Sequence, residues 1–462
     1  MIPSSRSPAA SRRPPTQERR EVDAVLMLTV YLVLLLAIPS GVTITVLGTL
    51  GRPPLMWGLI LLAWWAVSRL QAQTGEARPL RQPVRFAFVA FAVVVLVSFA
   101  AAMLRGQPDD QVSPALTALI RLLSWAGVLL VAVDGIRTMS DLATIVRRIG
   151  IGAGLLATLG LVQFITGEAL VDFFGTIPGL SLAGGIGERA GVIRSSGTAI
   201  HPLEYATALN AALPLVIATA ISNGFYGRQF NRGLRWWVPV VLISVSSLVA
   251  VSRSAIIGFV VAIILMIPAV PRRFRAAAIA AGAAGGFAVY AAVPGLLSTT
   301  IRLFATAADD PSTQSRASGL GRVPEFMANS PVIGSGFGLF LPRYYIFDNQ
   351  WVLIAIELGI LGIIAFAGIF VTGIGSALQA RRSTQLEIRT LGHALAASMF
   401  MIAVLFAFFD GLSFPIAGGM FFLIAGLCGS IRTVAHEEIG GHATNGFTRS
   451  GRDADRARRL IP

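Results

Sequence analysis

Four arginines lie where polar stretches of this chain meet its apolar runs. Arg194 precedes small residues in GVIRSSGTAIHPLEYA, Arg253 interrupts two apolar runs in VAVSRSAIIGF, and Arg316 and Arg322 flank SGLG in a longer polar segment. Arginine presents a planar fork of donors that matches phosphate oxygens, so the set predicts an anionic substrate, with Arg253 contacting a diphosphate. Other interpretations stay open: any one arginine could contact lipid phosphates or loop carboxylates, and Arg253 could snorkel to the headgroups.

Two candidate acid–base residues stand at the starts of apolar helices. His201 comes shortly before Glu204 at the predicted membrane surface, where it could titrate or hold a substrate hydroxyl. This pair could equally order the junction between loop and helix. Asp348 begins DNQWVLIAIELGILG and is placed either to cap the following helix or to act as a general base, and Asn349 beside it is a candidate substrate contact.

Glu357 lies inside the same apolar run as these polar residues. It follows Asp348 by nine positions, which places it about 13 Å deeper along a helix. A carboxylate at that depth needs a partner or a proton, so Glu357 is predicted to be a functional or structural polar anchor. The spacing of Gly359 and Gly362 predicts close approach by another helix. Upstream, VPEFMANSPVIGSGFG predicts a short helix followed by a tight glycine-rich turn, and no nucleotide-binding fingerprint.

The composition identifies the class of protein. Of 462 residues, 55% are hydrophobic and only 13% are charged, against about 25% charged in soluble proteins. The net charge of +14 does not indicate a nucleic-acid partner, because the basic residues form short clusters between apolar runs, as topology signals do. The single cysteine, Cys428, lies in an apolar run without a partner, so neither a disulfide nor a thiol metal site is predicted, and no cofactor is expected.

The apolar runs predict an all-α polytopic membrane protein with about twelve spans. Arginines concentrate on alternate segments between the runs, which places both termini in the cytoplasm. A large extracytoplasmic loop is predicted between helices 9 and 10. The predicted divisions are a disordered cytoplasmic tail at 1–23, a transmembrane domain at 24–432 with external loops at about 167–202 and 298–350, and a second disordered cytoplasmic tail at 433–462.

Four of these segments together resemble the O-antigen ligase and O-antigen polymerase superfamily. In DNQWVLIAIELGILG, Asn349, Gly359 and Gly362 match a motif in which a His-Asn pair precedes two spaced glycines. RSSGTAIHPLEYA resembles the family's Arg-x-x-Gly-x-x-x-His-Pro entry, VSRSAIIGF its Ser-Arg-small junction, and GRVPEF with SPVIGSGFG its arginine-led segment ending in Gly-x-Gly. The resemblance covers roughly 194–362.

The resemblance implies an enzyme of the bacterial inner membrane that needs no metal. Such glycosyltransferases move a glycan from polyprenyl diphosphate to a glycan or lipid-glycan acceptor on the outer face of the membrane. By analogy Arg194, Arg253 and Arg322 would stabilise the leaving diphosphate. The family's presumed base is the motif histidine, and here Asp348 occupies its position. This departure favours an exopolysaccharide polymerase, or a transferase with another acceptor, over strict ligase chemistry, with His201 as the second candidate base.

The sequence therefore predicts an inverting membrane glycosyltransferase, polymerase or ligase, whose partners are a lipid-linked donor, an acceptor and membrane lipids. The alternative is a transporter or flippase of lipid-linked glycans or anionic solutes, in which the same arginines would line a path. No internal repeat is visible, and the polar residues gather at one face of the membrane instead of at its midplane. Both features favour the enzyme.

Overall fold

A computed structural model describes residues 23–71, 81–185, 187–189, 192–226, 233–250, 252–293, 295–305 and 311–458. The described residues are 79% helical with almost no strand, which confirms the predicted all-α class. The helices are α1 Ala24–Ala37, α2 Pro53–Gln71, α3 Pro83–Leu104, α4 Asp109–Gly135, α5 Met139–Thr166, α6 Pro202–Ile221, α7 Trp237–Val249, α8 Arg253–Met266, α9 Arg275–Ala292, α10 Leu296–Ala305, α11 Pro311–Met327, α12 Gln350–Gln379, α13 Leu386–Leu405 and α14 Pro415–Arg458.

Four short strands lie between the helices. The first, β1 Val42–Ile44, follows α1 and pairs antiparallel with β2 Leu180–Leu182, so it joins the α1–α2 connection to the loop that precedes α6. In that same loop β3 Gly187–Arg189 pairs antiparallel with β4 Val192–Arg194. Arg194 is therefore the last residue of a hairpin.

Nine helices in the described residues are long and apolar enough to cross a membrane. Three further apolar helices are shorter, with 10–17 residues: Ala24–Ala37, Gly233–Val249 and Arg253–Ala269. They coincide with predicted spans but fall below the length of about 20 residues that a bilayer requires, so the count of twelve is not confirmed. The last two lie on either side of Ser252, which is the N-cap residue of α8.

The predicted domain boundaries can be compared with these helix ends. Residues 1–22 of the predicted first tail lie outside the described residues. At the other end α14 continues to Arg458, past residue 432, where the sequence places the end of the transmembrane domain. The predicted external loop 298–350 contains most of α10 and all of α11, followed by an irregular segment from 328 to 349. The domain division and the orientation of the termini stay predictions.

Helix α6 forms the centre of the bundle. It packs against α5, α7, α8, α13 and α14, and 94% of its span is buried. Helix α6 can be buried to this extent because it is apolar on nearly every face. Its N-terminus lies beside the N-termini of α12 and α14. The Gln350 backbone N–H donates to the carbonyls of Phe406 and Phe409 (2.8 and 3.2 Å), and the Glu204 carboxylate accepts from the Ile416 N–H (2.6 Å).

Helix α12 is interrupted at Gly359, where φ is 64° and ψ is −162°. The break frees backbone groups that must find partners inside the membrane. The segment at 331–336 supplies them. Ser335 and Gly336 N–H donate to the carbonyls of Ile356 and Glu357 (3.0 and 2.9 Å). In return, the Ile360 and Leu361 N–H groups donate to the carbonyls of Pro331 and Val332 (3.0 and 3.2 Å).

The predicted role of Gly359 and Gly362 in approach by another helix stays a prediction, and the structure shows which atoms lie nearest to each glycine. A Cβ on Gly359 would lie 2.4 Å from the carbonyl carbon and oxygen of Val332, in an irregular segment, and one on Gly362 would meet Leu358 of its own helix at 2.1 Å. Glycine is required at 359 because the backbone has a positive φ and another backbone touches it.

Gly359→Ala is expected to lower the stability of the protein by about 2 kcal/mol or more, because it combines a strained φ with a backbone clash. Thermal unfolding of the purified protein in detergent measures the effect. The matched control is Gly368→Ala in the same helix, where an added Cβ meets nothing within 4 Å. Equal midpoints for the two variants would contradict the described break.

Candidate active site at the N-terminal ends of α6, α12 and α14

His201 is the N-cap of α6. Its Nδ1 accepts the Leu203 N–H (3.1 Å), and its ring packs on Phe414 with the centroids 5.7 Å apart. Burial and the positive charge of Arg194 lower the pKa of His201, and the negative charge of Asp348 opposes them. The ring is therefore neutral at pH 7, and because Nδ1 is an acceptor the proton lies on Nε2. In this state Nε2 can donate to a substrate oxygen, but the ring has no spare acceptor for a proton.

Asp348 lies within electrostatic reach of His201 and of a second acid, Asp410. The cap of α12 is its neighbour Asn349, whose Oδ1 accepts from the N–H groups of Trp351 and Val352 (3.0 and 3.2 Å). The carboxylate of Asp348 is thus not the cap of α12, the role that the sequence offered as one alternative.

Asp410 lies in the turn between α13 and α14 and was not identified from the sequence. Burial raises its pKa to about 6, the Ser413 hydroxyl lowers it, and the charge of Asp348 raises it further. The available signal was a lone acid between two apolar runs, in FFDGLSFP. Such an acid resembles Asp348, which also stands at the mouth of a helix.

The stability of the folded protein should depend on the ionisation of Asp410. Because folding raises its pKa, the stabilising contribution is complete below about pH 4 and is lost as the pH rises through about 6. Asp410→Asn is therefore expected to flatten the dependence of the unfolding midpoint on pH between 4 and 7. Thermal scans of wild type and variant across this range measure the difference. Parallel curves would show that Asp410 does not titrate differently on folding.

The two deeper carboxylates hold the structure together. Glu204 is fully buried and accepts hydrogen bonds from the Ser40 hydroxyl and the Ile200 N–H (2.8 and 3.0 Å), besides the bond from α14. Of the two interpretations left open for Glu204 with His201, this geometry favours the ordering of a loop–helix junction. Glu357 is also buried and accepts from the backbone N–H groups of Gly338 and Phe340, which fastens the glycine-rich turn to α12.

The predicted arginines lie in three separate parts of the structure, and one of them, Arg194, acts electrostatically on His201. Arg253 begins α8. Ala250 and Ala255, on either side of it, form a buried cluster with Ala206 in the first turns of α6.

Arg322 lies on α11, where it pairs with Glu325 (3.4 Å) and covers the rings of Phe326 and Tyr345 at 5.0 and 5.3 Å from their centroids. Arg316 is also on α11, and its side chain lies outside the described part of the structure.

An aromatic cluster connects α11 to Asp348. Phe326 packs on Phe340 and Phe347 with ring centroids 5.0 and 5.9 Å apart, and Tyr345 lies 4.7 Å from Phe347. Phe347 directly precedes Asp348 and is buried. The long segment between α10 and α12 is thereby folded back onto the start of α12.

This fold and site define a multi-pass membrane protein with charged groups gathered where three helices begin. Residues 238–367, from α7 into α12, match the family model described as O-antigen ligase. The match confirms the resemblance to the O-antigen ligase superfamily, and it supports a membrane glycan ligase-like function and lipid-linked glycan substrates in general. It includes Arg253, Arg322 and Asp348, whereas Arg194 and His201 precede it. A search of curated proteins finds no match.

Proposed function

We propose that the protein is a metal-independent, inverting glycosyltransferase of the bacterial inner membrane. It joins a glycan carried on polyprenyl diphosphate to an acceptor hydroxyl on the outer face, as a polymerase of an exopolysaccharide or a related ligase, and both of its termini are cytoplasmic. The observation that carries the proposal is the meeting of Arg194, His201, Asp348 and Asp410 at one end of the bundle. The family match over 238–367 supports the same chemistry.

In the proposed reaction Asp348 is the general base. It takes the proton of the acceptor hydroxyl as that oxygen attacks the anomeric carbon, and the bond from this carbon to the diphosphate oxygen breaks with its electron pair leaving on the diphosphate. Attack from the opposite face inverts the configuration. Two features support this assignment: Asn349 caps the helix, and the acceptor nitrogen of His201 is occupied by Leu203. The Nε2–H of His201 is left to orient a substrate oxygen.

Arg194 and Arg253, with Arg322 and Arg316 on α11, would bind the diphosphate. Their positive charge stabilises the negative charge that develops on the leaving group, which is the role a metal ion has in many other transferases. Arg253 suits this role because a guanidinium near the hydrocarbon is costly without an anion or cavity. Asn349 and Glu357 act by holding the backbone. Asn349 caps the start of α12 beside Asp348, and Glu357 fastens the glycine-rich turn to α12.

The alternative is a transporter or flippase of lipid-linked glycans. One observation favours it: α12 is discontinuous at Gly359 next to the buried side chain of Glu357, and discontinuous helices are typical of transporter binding sites. In that case Asp348 and the arginines would line a path and no bond would be made.

A reconstituted assay separates the two functions. Purified protein in sealed liposomes is given oligosaccharides linked to polyprenyl diphosphate, and both product length and movement of the donor between leaflets are followed. The proposal expects longer or transferred glycans together with free polyprenyl diphosphate, and a ladder of products identifies a polymerase. Donor that crosses the membrane unchanged, with no new linkage, supports the transporter instead.

A further inference from the structure

We infer that Arg52 and Arg121 form a second anion site, which takes the phosphate or diphosphate headgroup of a lipid. Arg52 precedes α2 and Arg121 lies within α4. The two guanidinium groups are within electrostatic reach of each other. They line a cavity of about 20 Å³ together with Tyr31, Ser124, Trp125 and Pro415, which is room for about one oxygen-sized group between them.

The donors of this arginine pair are largely unused. Arg121 gives one hydrogen bond, from Nη1 to the Leu412 carbonyl (3.1 Å). Arg52 gives none to the described residues, and its Nε is buried without a partner there. Two guanidinium groups carry about ten N–H donors between them, and buried donors without acceptors are costly. The arrangement is therefore incomplete without an acceptor in the cavity.

The carboxylates of Glu204 and Glu357 do not supply the missing hydrogen-bond acceptors. Glu204 acts electrostatically on Arg52, and Glu357 on Arg121. Within the described chain, however, no direct ion pair joins either acid to either arginine. The Glu204 carboxylate accepts hydrogen bonds from Ser40, Ile200 and Ile416, and Glu357 accepts from two backbone N–H groups. An external anion with oxygen acceptors would satisfy both arginines at once.

The surroundings indicate that this anion arrives on a lipid. The turn Thr45–Gly51 directly before Arg52 exposes Val46 (91%) and Leu47 (47%), as expected for a segment in contact with the membrane interface. An oxygen between the arginines would therefore come from the headgroup layer. The site also differs from the one at Arg194. The turn before α14 separates them, because Phe414 contacts His201 while Leu412 and Pro415 face the arginine pair.

Counting bound lipids by native mass spectrometry in detergent tests the inference. Polyprenyl diphosphate is the probe, a choice that rests on the proposed function. Wild type is expected to bind two molecules. Arg52→Gln should bind one of them at least about tenfold more weakly, and Arg194→Gln should weaken the other. The variant at Arg52 removes no hydrogen bond to the described residues, so its folding should be preserved. The matched control Arg343→Gln, which removes an exposed arginine paired with Asp110, should retain both.

Competition with phosphatidylglycerol and phosphatidylcholine identifies the source of the headgroup. If phosphatidylglycerol alone displaces the molecule that depends on Arg52, the site stands and its ligand is an anionic membrane lipid. If neither lipid displaces it, the ligand is the lipid-linked substrate. Unchanged stoichiometry and affinity in both Arg52→Gln and the double variant with Arg121→Gln would overturn the site. If wild-type protein shows no transfer activity but still binds a lipid in a manner that depends on Arg52, the proposed function is wrong and the anion site is still supported.

Discussion

Asp348→Asn is expected to lower the rate of glycosyl transfer by about 10²- to 10⁴-fold, the range that general bases contribute. Asparagine has nearly the same shape but cannot take the acceptor proton. Asn349 should still cap α12, since its bonds to Trp351 and Val352 do not involve Asp348. Initial rates with a lipid-linked donor, together with donor binding measured separately, should show a loss of turnover with binding retained.

The control for Asp348 is Asp172→Asn, an exposed carboxylate of the other predicted external loop. It removes the same charge from the same predicted side of the membrane and should leave turnover within about twofold of wild type, because exposed charges away from the site contribute little. If Asp348→Asn keeps more than about a tenth of the wild-type rate, Asp348 is not the general base of the reaction.

Arg194→Gln is expected to lower turnover by about 10²- to 10³-fold, as removal of one preorganised donor from developing negative charge does in other enzymes. Arg194 is also the arginine whose charge reaches His201. Its loss should therefore raise the pKa of that ring, because one of the two influences that lower it disappears. Turnover measurements and a titration of His201 by NMR in the same variant test both consequences.

A purely structural role for Arg194 would give a different result. It would lower the midpoint of thermal unfolding. In the protein that remains folded, the ratio of turnover to donor affinity would stay near the wild-type value. The control is again Arg343→Gln, whose ion pair with Asp110 is solvent-exposed. If the control loses as much turnover as Arg194→Gln, the effect comes from the overall external charge and the proposed contact with the diphosphate is wrong.

Local sequence patterns were enough to predict the all-α membrane class and to mark the polar residues that stand just before apolar helices. Apolar run length and arginine placement predicted the all-α membrane class, and His201 and Asp348 were recognised because each directly precedes an apolar run. The short helices α7 and α8 show the limit of this approach. The apolar runs around them were predicted as spans, but both helices are shorter than a bilayer requires.

The relations missed by the sequence are those between distant segments. Asp348 and Asn349 are both good caps by residue type, and only the backbone geometry selects Asn349. The break at Gly359 depends on hydrogen bonds to residues 331–336, because a glycine in a membrane helix is compatible with close packing as well as with a break. Arg121 lies within α4, and its relation to Arg52 arises only when α2 packs on α4.

The most direct test of glycosyl transfer uses nanodiscs, which have no closed compartments and therefore cannot report transport. Wild-type protein in nanodiscs is supplied with an oligosaccharide linked to polyprenyl diphosphate, and glycan products and free polyprenyl diphosphate are quantified together. Wild type should release one polyprenyl diphosphate for each new glycosidic bond, with inverted anomeric configuration, and Asp348→Asn should form both products about 10²- to 10⁴-fold more slowly. Unchanged donor after many hours with folded wild-type protein would contradict the proposed glycosyl transfer.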